Sequence, residues 1–441
     1  MHDVLDLRAM VGEEIIQRRE SGYAIDDVAP SAAAIEGASE DELREFLSRL
    51  GAAPRSPGWP YEEPSELAAI EAAQPPVPAR ARLAAGESSL GDRILGAWLG
   101  RCAGCALGKP VEIWPRAAIR RYLEALGAYP LAAYVPPPPG RLPAGLPELN
   151  PSWPESTRGR IAGVPRDDDV DYTILGLHIL ETHGVGFSTD DVAAAWLRHL
   201  PFLQVYTAER AAYRNLIHGL RPPDTATHVN PFREWIGAQI RVDAYAYARP
   251  GDPAGASRLA FADARLSHTA NGLYGAMWAA ALIAASFAEP AMPAALDSAL
   301  AVVPVRSRLA EALAGVRRMH ADGLGWEEAR DELERRHGSL SPVHTINNAA
   351  VVAAALLWGD GDFGRTVGLA VQGGWDTDCN GATAGSAYGA MHGSRSLPRD
   401  WTDPLDDRVR TAVYGFDGAR ISDLAERTLR VALEAAAGRR G

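Results

Sequence analysis

Apolar residues recur at intervals of three and four along most of the chain from Asp167 onward. This spacing places them on one face of a helix, and convincing alternation with a period of two, which is typical of half-buried strands, is absent. The pattern therefore predicts an all-α domain. Its predicted helices are 170–182, 189–199, 208–218, 232–240, 256–266, 272–287, 308–319, 326–336, 345–358, 362–371, 379–391 and 422–437.

Two helical segments, 90–107 and 379–391, carry glycines spaced four residues apart. Residues at this spacing lie on one face of a helix, and each interior Gly costs about 1 kcal/mol relative to Ala. Close approach of another backbone would compensate for that cost, so we predict that both helices lie deep in the core. If they pack against each other, the residues at their ends come together. The glycines are Gly96, Gly100, Gly104, Gly108, Gly381, Gly385, Gly389 and Gly393.

The segments before these helices predict a division of the chain into two parts. We expect an N-terminal helical extension over residues 1–88 and an all-α domain over residues 89–441. Prolines interrupt the short helical patches of the extension. Trp59 and Tyr61 indicate that it packs, because a disordered tail rarely carries large apolar side chains.

A Pro-rich loop insert is predicted at 130–165, within the all-α domain. Loops of this length are uncommon in compact domains and are either functional or disordered. Two interpretations remain open. The insert is a mobile surface segment, or Tyr134 and Trp153 line the mouth of a substrate site.

Composition excludes several classes of protein. Among 441 residues, 44 Lys and Arg stand against 56 Asp and Glu, a formal charge of −12, which argues against a nucleic-acid binder with a broad basic surface. Three cysteines are too few for a disulfide scaffold and indicate a reducing compartment. The longest uncharged apolar run, 275–288, is too short to span a bilayer, and the first residues lack an apolar leader. We expect a cytoplasmic protein without nucleic-acid or membrane partners.

Two acidic clusters and one separate glutamate are the strongest candidates for chemistry. They comprise Asp167, Asp168, Asp169 and Asp171 before one helix, Asp376 and Asp378 after a Gly-Gly pair, and Glu112 beyond the first glycine-rich helix. Helix capping explains one Asp per helix start and contributes about 0.5–2 kcal/mol. Two carboxylates 4 Å apart repel by about 4 kcal/mol at an effective dielectric constant near 20. A bound cation would remove this repulsion, and oxygen ligands suit Mg²⁺, Mn²⁺ or Ca²⁺.

Three other features have plainer alternatives. Cys102 and Cys105 form a CxxC pair, but a helix is predicted there and only one further cysteine exists, so small buried residues explain it better than a redox or zinc site. The polar stretch 230–243 either shapes a pocket or forms a solvated helix face. His268 is either a ligand-contacting residue or a packed core histidine.

At these residues the chain resembles the ADP-ribosylglycohydrolase family. Residues 96–112, GAWLGRCAGCALGKPVE, look like the family's opening helix and its glutamate. Residues 167–173, DDDVDYT, are similar to its Thr-Asp-Asp motif, and residues 374–378, GWDTD, are similar to its Asp-Thr-Asp motif. The likeness extends over roughly residues 90–395, and the three motifs follow the expected order.

The resemblance implies a compact orthogonal multi-helix bundle with a centre of two Mg²⁺ (or Mn²⁺) ions at the mouth of a cleft. It implies metal ligands at Asp168, Asp169, Asp376 and Asp378, and Asp167 stands where a Thr or Ser ligand is usual. Glu112, Asp168 and Asp378 are the predicted catalytic residues. His268 and Asp169 are the predicted contacts to the substrate.

The resemblance further implies a metal-dependent hydrolase that cleaves a ribosyl glycosidic bond and removes ADP-ribose from a modified protein side chain. One alternative is a hydrolase of a small ribosyl or ADP-ribosyl metabolite, and another is a non-catalytic ADP-ribose-binding pseudoenzyme. Cys379, where a Thr hydroxyl is usual, motivates the second alternative, because a neutral thiol is a poor ligand for a hard cation. Cys105 replaces a common Asp, and the two thiols could oxidise if their helices meet.

Overall fold

The computed structural model describes residues 3–76, 86–140 and 142–438, and α-helices dominate these residues, as predicted. Four helices precede the first gap. They are α1 (Leu7–Glu20), α2 (Ala32–Gly37), α3 (Glu40–Ala52) and α4 (Leu67–Ala72). Ser39 shows why α3 begins where it does. Its hydroxyl accepts from the N–H of Glu42, and the Glu42 carboxylate accepts from the N–H of Ser39, which satisfies two free donors of the first turn.

Helices of the main body follow. They are α5 (Glu87–Gly108), α6 (Arg116–Ala125), α7 (Trp153–Ser156), α8 (Asp168–His183), α9 (Thr189–His199), α10 (Thr207–Ile217), α11 (Asp224–Thr227), α12 (Asp243–Tyr247), α13 (Pro253–Ala264), α14 (Ala270–Ser286), α15 (Met292–Leu300), α16 (Arg308–Ala321), α17 (Trp326–His337), α18 (Thr345–Trp358), α19 (Phe363–Gln372), α20 (Thr377–His392), α21 (Arg399–Thr402) and α22 (Ile421–Ala436). Short 3-10 turns at Lys109–Val111 and Ile236–Arg241 matter for the site. The strands β1 (Arg408–Val409) and β2 (Ala419–Arg420) pair antiparallel.

The core lies around α14 and α18, in which every residue is buried. Helix α14 contacts α13, α15, α18 and α20, and α20 contacts α5 along its length. A helix that is apolar on all sides must be buried by its neighbours. The helices around α14 bury it in this way. Among the described residues, no helix is long and apolar enough to cross a membrane.

The glycine-rich helices pack directly backbone to backbone, and they run antiparallel. A Cβ added at Gly104 would lie 1.9 Å from the carbonyl oxygen of Gly381, and one at Gly100 would lie 2.1 Å from that of Gly385. The predicted close approach is therefore confirmed, and each helix is the partner of the other. The C-terminal end of α5 meets the N-terminal start of α20.

The stretch 230–243 does not form the predicted helix, and its role in shaping a pocket stays a prediction. Only a 3-10 turn, Ile236–Arg241, forms where an α-helix was predicted, and the solvated-face alternative is wrong because its charged residues are buried. Arg233 pairs with Glu14 at 2.6 Å and Glu234 pairs with Arg308 at 2.7 Å. These ion pairs hold side chains in directions that a regular amphipathic helix would not provide.

Part of the Pro-rich insert is packed rather than mobile. Tyr134 is buried and donates to the carbonyl oxygen of Trp401 at 2.7 Å, and Trp114 donates to the carbonyl oxygen of Glu148 at 3.0 Å. Tyr134 therefore belongs to the core. Residue 141, inside the insert, lies outside the described residues.

The N-terminal extension also packs on the main body. Val4 and Met10 form an apolar cluster with Ala208, Phe232 and Trp235. A second cluster, including Val11, Ile25 and Leu50, lies within the extension itself. The predicted boundary at residue 88 falls one residue after the start of α5 at Glu87, and the division into two domains stays a prediction.

Candidate metal centre

The contact between α5 and α20 places Glu112 beside the second acidic cluster. The hydroxyl of Thr377 donates to the carbonyl oxygen of Gly108 at 2.8 Å. A Cβ at Gly108 would lie 2.2 Å from the carbonyl oxygen of Thr377, so only Gly permits this approach. The 3-10 turn Lys109–Val111 then leads directly to Glu112.

A buried arginine, Arg101, fixes the first acidic cluster against α5. Its Nε and Nη2 donate to the carbonyl oxygen of Asp169 at 3.0 and 2.6 Å, and Nη2 also reaches Asp169 Oδ1 at 3.2 Å. Its Nη1 lies 3.0 Å from Asp243 Oδ1. The guanidinium is fully buried, and its fixed donors pin the first turn of α8 to the first glycine-rich helix.

Within residues 3–76, 86–140 and 142–438, three groups of side chains have ligand atoms within 4.8 Å of one another. The carboxylate group is Glu112, Asp376 and Asp378. The sulfur group is Asp169, Asp378 and Cys379, and the lysine-paired group is Cys105, Asp167 and Asp169. Asp378 and Asp169 are each shared by two groups, so the three form one continuous centre.

Most of the predicted acids thus meet in space, although Asp168 belongs to none of the three groups found among the described residues. Asp168 is partly buried in the first turn of α8. Burial, followed by the negative charge of Asp167, raises the pKa of Asp168 to about 8. Its assignment as ligand and catalytic residue stays a prediction.

Asp167 performs the capping role that the sequence left open. Its Oδ1 accepts from the N–H of Asp169 at 2.9 Å, and its Oδ2 forms an ion pair with the Lys109 ammonium. Burial alone would raise the pKa of Asp167, but Lys109, the N–H of Asp169 and the charge of Arg166 together hold it below the usual range. Lys109 is a charge partner that the sequence analysis missed, because Lys in a Gly-Lys-Pro turn has no distinctive spacing to an acid 58 residues away.

Electrostatics favour a cation at the other acids. Burial is the largest cause that raises the pKa of Asp169, Asp376, Asp378 and Glu112, and negative neighbours raise them further. Raised pKa values mean that the ionised forms are disfavoured when the groups stand alone. A divalent cation would reverse that preference, and carboxylate oxygens suit Mg²⁺ or Mn²⁺. The carboxylate group therefore fits the implied metal.

Asn150 holds Glu112 in place. Its Nδ2 donates to Glu112 Oε2 at 2.6 Å, and its own N–H donates to the carbonyl oxygen of Pro110 at 3.0 Å. The N–H and hydroxyl of Ser152 both donate to Asn150 Oδ1, which fixes the orientation of the amide. Asn150 comes from the Pro-rich insert, where the sequence analysis did not single it out, because an Asn-Pro dipeptide is typical of a turn and carries no sign of a further role.

Asn348 on α18 supports the opposite side. Its Oδ1 accepts from the N–H of Asp376 at 3.1 Å and from Nδ2 of Asn380 at 2.8 Å. The start of α20 is thereby held without help from the carboxylate of Asp376, which caps nothing. That carboxylate instead shares a hydrogen bond with the Asp378 carboxyl, which places both acids in one group.

Strained backbone accompanies the centre. Ile113 and Trp375 have φ angles of +63° and +65°, and the N–H of Ile113 donates to the carbonyl oxygen of Trp375 at 3.0 Å. Such conformations cost about 1–3 kcal/mol each and cluster at functional sites. The Arg330 guanidinium lies 3.9 Å from the centre of the Trp375 ring and its Nε donates to the carbonyl oxygen of Gly373, which stabilises the strained turn.

Asp171 and His268 lie in other surroundings. Asp171 accepts from Arg166 and from the N–H of Ala412, so it joins two loops. His268 is buried, with Nδ1 2.8 Å from the Ser267 hydroxyl and Nε2 3.8 Å from Glu209, and burial holds its pKa well below the usual range. These are the surroundings of a packed core histidine, and its contact to substrate stays a prediction.

Comparison with known proteins agrees with this architecture. The model of the ADP-ribosylglycohydrolase family matches residues 86–438. A solved structure described as an ADP-ribosylglycohydrolase-related protein complex is 23% identical with a TM-score of 0.50, and the match covers 79% of this chain and 99% of that chain. At this identity the structural likeness bears on the fold alone. No curated protein matches the chain.

Proposed function

Because the chain belongs to the ADP-ribosylglycohydrolase family, we propose that it is a metal-dependent hydrolase that cleaves a ribosyl glycosidic bond. The single observation that carries the proposal is the meeting of Glu112, Asp376 and Asp378 within 4.8 Å. These three acids come from two segments that are more than 260 residues apart in the chain. Repulsion of this kind is retained in a fold when it serves a bound cation or a developing positive charge.

Cations and carboxylates have different roles in the proposed reaction. The carboxylate group would hold a divalent cation, which would supply orientation of vicinal ribose hydroxyls and activation of water. Glu112, held by Asn150, faces the same centre, and carboxylates near the anomeric carbon stabilise the oxocarbenium-like charge that builds as the bond breaks. Asp168 stands outside the three groups, and we assign it a role toward substrate or water. The proposed substrate is an ADP-ribosylated protein side chain.

The experiment compares ADP-ribosyl-arginine, ADP-ribosyl-serine and free ribosides as substrates, each with Mg²⁺, with Mn²⁺ and with a chelator. We expect product release only with a divalent cation. Hydrolysis of free ribosides alone would indicate that the substrate is a small metabolite rather than a modified protein. Binding of ADP-ribose without release of product in any reaction would indicate a pseudoenzyme.

Asp378→Asn tests the residue shared by the carboxylate group and the sulfur group. Removing one charged oxygen should lower kcat/KM more than about 100-fold, beyond the 10–100-fold cost of losing an outer-shell partner. Asp190→Asn, an exposed acid in the first turn of α9, is the control and should keep full activity. Near-normal turnover in Asp378→Asn would contradict the proposal.

A further inference from the structure

The three groups of the centre differ in their donor atoms. The carboxylate group offers only oxygen, from Glu112, Asp376 and Asp378. The sulfur group replaces one oxygen by the thiol of Cys379, whose Sγ lies 3.3 Å from Asp169 Oδ2. Cys379 follows Asp378 directly in the first turn of α20. The thiol therefore points at a carboxylate that belongs to the centre.

Donor chemistry separates the two positions. Mg²⁺ and Ca²⁺ prefer oxygen ligands, whereas thiolates select Zn²⁺ and other thiophilic metals. A set of two carboxylates and one cysteine is a poor match for Mg²⁺ and a better match for a cation of the zinc class, which accepts both thiolate and carboxylate ligands. The centre is thus chemically asymmetric, since one side is hard and the other is soft.

The lysine-paired group is a weaker candidate although it also contains a sulfur, that of Cys105. The Lys109 ammonium already balances the charge of Asp167, and the N–H of Asp169 occupies its other oxygen. Both oxygens of Asp167 are therefore engaged.

In the sulfur group, Asp378 accepts from the N–H of Cys379 at 3.1 Å and shares a hydrogen bond with the Asp376 carboxyl, so its hydrogen-bond partners include no ammonium. Asp169 pairs with Arg101 through Oδ1, and its Oδ2 faces the thiol.

We propose that Asp169, Asp378 and Cys379 bind a thiophilic divalent cation of the zinc class, with Cys379 as a thiolate ligand, while the carboxylate group binds Mg²⁺ or Mn²⁺. The inference rests on the proposed function only in placing cations at this centre. On binding, a sulfur–metal bond replaces the hydrogen bond from Sγ to Asp169 Oδ2, and the thiol proton goes to solvent. No atom changes oxidation state.

The test titrates metal-free protein with Co²⁺ and follows the near-ultraviolet absorption of the sulfur-to-cobalt charge transfer. We expect a band that saturates at one equivalent, is displaced by Zn²⁺ and is unaffected by excess Mg²⁺. Cys379→Ser should abolish it and raise the Kd for Zn²⁺ more than about 100-fold, beyond the effect of an outer-shell loss. Cys105→Ser should retain it.

Cys102→Ser is the matched control. Cys102 is equally buried and lies on the same helix as Cys105, but it belongs to none of the groups found among the described residues. Its variant should keep the full band. Absence of the band in the unmodified protein, its survival in Cys379→Ser, or its loss in Cys102→Ser would overturn the proposal.

X-ray absorption of the zinc-loaded, unmodified protein covers the case in which Cys379→Ser does not fold. One sulfur neighbour is expected at zinc, and none would overturn the inference. Neither measurement reads hydrolysis, so the two proposals can fail separately. A sulfur-bound metal in a protein that releases no product would contradict only the hydrolase. Product release without sulfur ligation would contradict only the proposed thiophilic cation at the sulfur group.

Discussion

Single residues at similar positions perform different tasks in this protein. Asp167 and Asp376 each immediately precede a helix, yet Asp167 caps α8 and pairs with Lys109, whereas Asp376 makes no capping hydrogen bond. The difference follows from what else is available at each helix start. Asn348 Oδ1 accepts from the N–H of Asp376, so the Asp376 carboxylate is not needed as a helix cap. Function therefore depends on neighbours from distant parts of the chain.

Replacing Asn150 by Ala tests the support of Glu112. The change removes the 2.6 Å hydrogen bond from Nδ2 and should lower kcat/KM by about 10–100-fold, the usual cost of losing an outer-shell partner. Steady-state kinetics and a thermal melt measure the effect. Ser152→Ala, which only loosens the amide, should lower kcat/KM less. Equal activities in Asn150→Ala and the unmodified protein would contradict the role.

The carboxylates could be predicted from the sequence, but their partners could not. Consecutive Asp residues are visible as excess charge beyond what capping needs. Asn150 and Asn348 carry no such excess, and each acts through contacts 28 or more residues away. A short polar side chain in a loop or a helix has many possible partners. Only the folded structure selects one.

At the scale of elements, the contact of α5 with α20 decides where the centre lies. Spacing alone predicted the glycine faces, because repeated Gly in a buried helix needs a compensating contact. The same reasoning predicted a helical extension but did not give the bounds of α1, since buried polar residues such as Glu14 and Gln17 interrupt its apolar face. It placed a helix at 232–240, where buried ion pairs impose an irregular path. Periodicity works where burial is apolar and fails where burial is charged.

Gly104→Ala tests this helix contact. Its Cβ would lie 1.9 Å from the carbonyl oxygen of Gly381, so the helices must separate and the free energy of unfolding should fall by more than about 3 kcal/mol. In α1, nothing lies within 4 Å of the carbon that Gly12→Ala adds. This variant should raise the free energy of unfolding by up to about 1 kcal/mol, because Ala favours a helix more than Gly. Denaturant titration compares them. Equal stability of the two variants would be incompatible with backbone contact.

At the scale of the whole molecule, the extension and the main body share buried charges. Glu63 accepts from the Arg308 guanidinium at 2.9 Å and from Asn271 at 2.8 Å. Glu234 lies beside them and accepts from Ser21 at 2.6 Å. Buried charges are tolerated only when they are paired. The extension thus supplies counter-charges that the main body requires.

Glu63→Gln and Glu62→Gln form a matched pair of adjacent substitutions. Glu63 is fully buried, and breaking a buried ion pair costs about 3–5 kcal/mol. Glu62 pairs with Arg306 on the surface, where both side chains are about 60% exposed, and such pairs contribute about 0–1 kcal/mol. Thermal unfolding should therefore separate the two variants clearly. Similar melting temperatures would argue against the shared network.

Glu20, at the end of α1, makes stability depend on pH. Burial, opposed in part by the N–H of Ser341, raises the pKa of Glu20 to about 7. Between about pH 4.5 and 7 the folded protein holds a proton that the unfolded chain releases, so the free energy of unfolding falls as pH rises. Glu20→Gln should therefore gain melting temperature relative to the unmodified protein from pH 5 to pH 8. Glu36→Gln, at an exposed position on α2, should show no such gain in melting temperature. A difference in melting temperature between Glu20→Gln and the unmodified protein that stays constant from pH 5 to pH 8 would contradict the role of Glu20.

Helix α5 must wait for α20 during translation, because 269 residues separate Gly108 from Thr377. At about 5–20 residues per second, the ribosome needs tens of seconds to produce the second helix. Throughout that interval the nascent α5 presents a flat glycine face that its own propensity stabilises poorly. The candidate metal centre is consequently among the last parts of the molecule to assemble, and in a chain arrested before residue 377 the glycine face of α5 stays uncovered and accessible to chaperones.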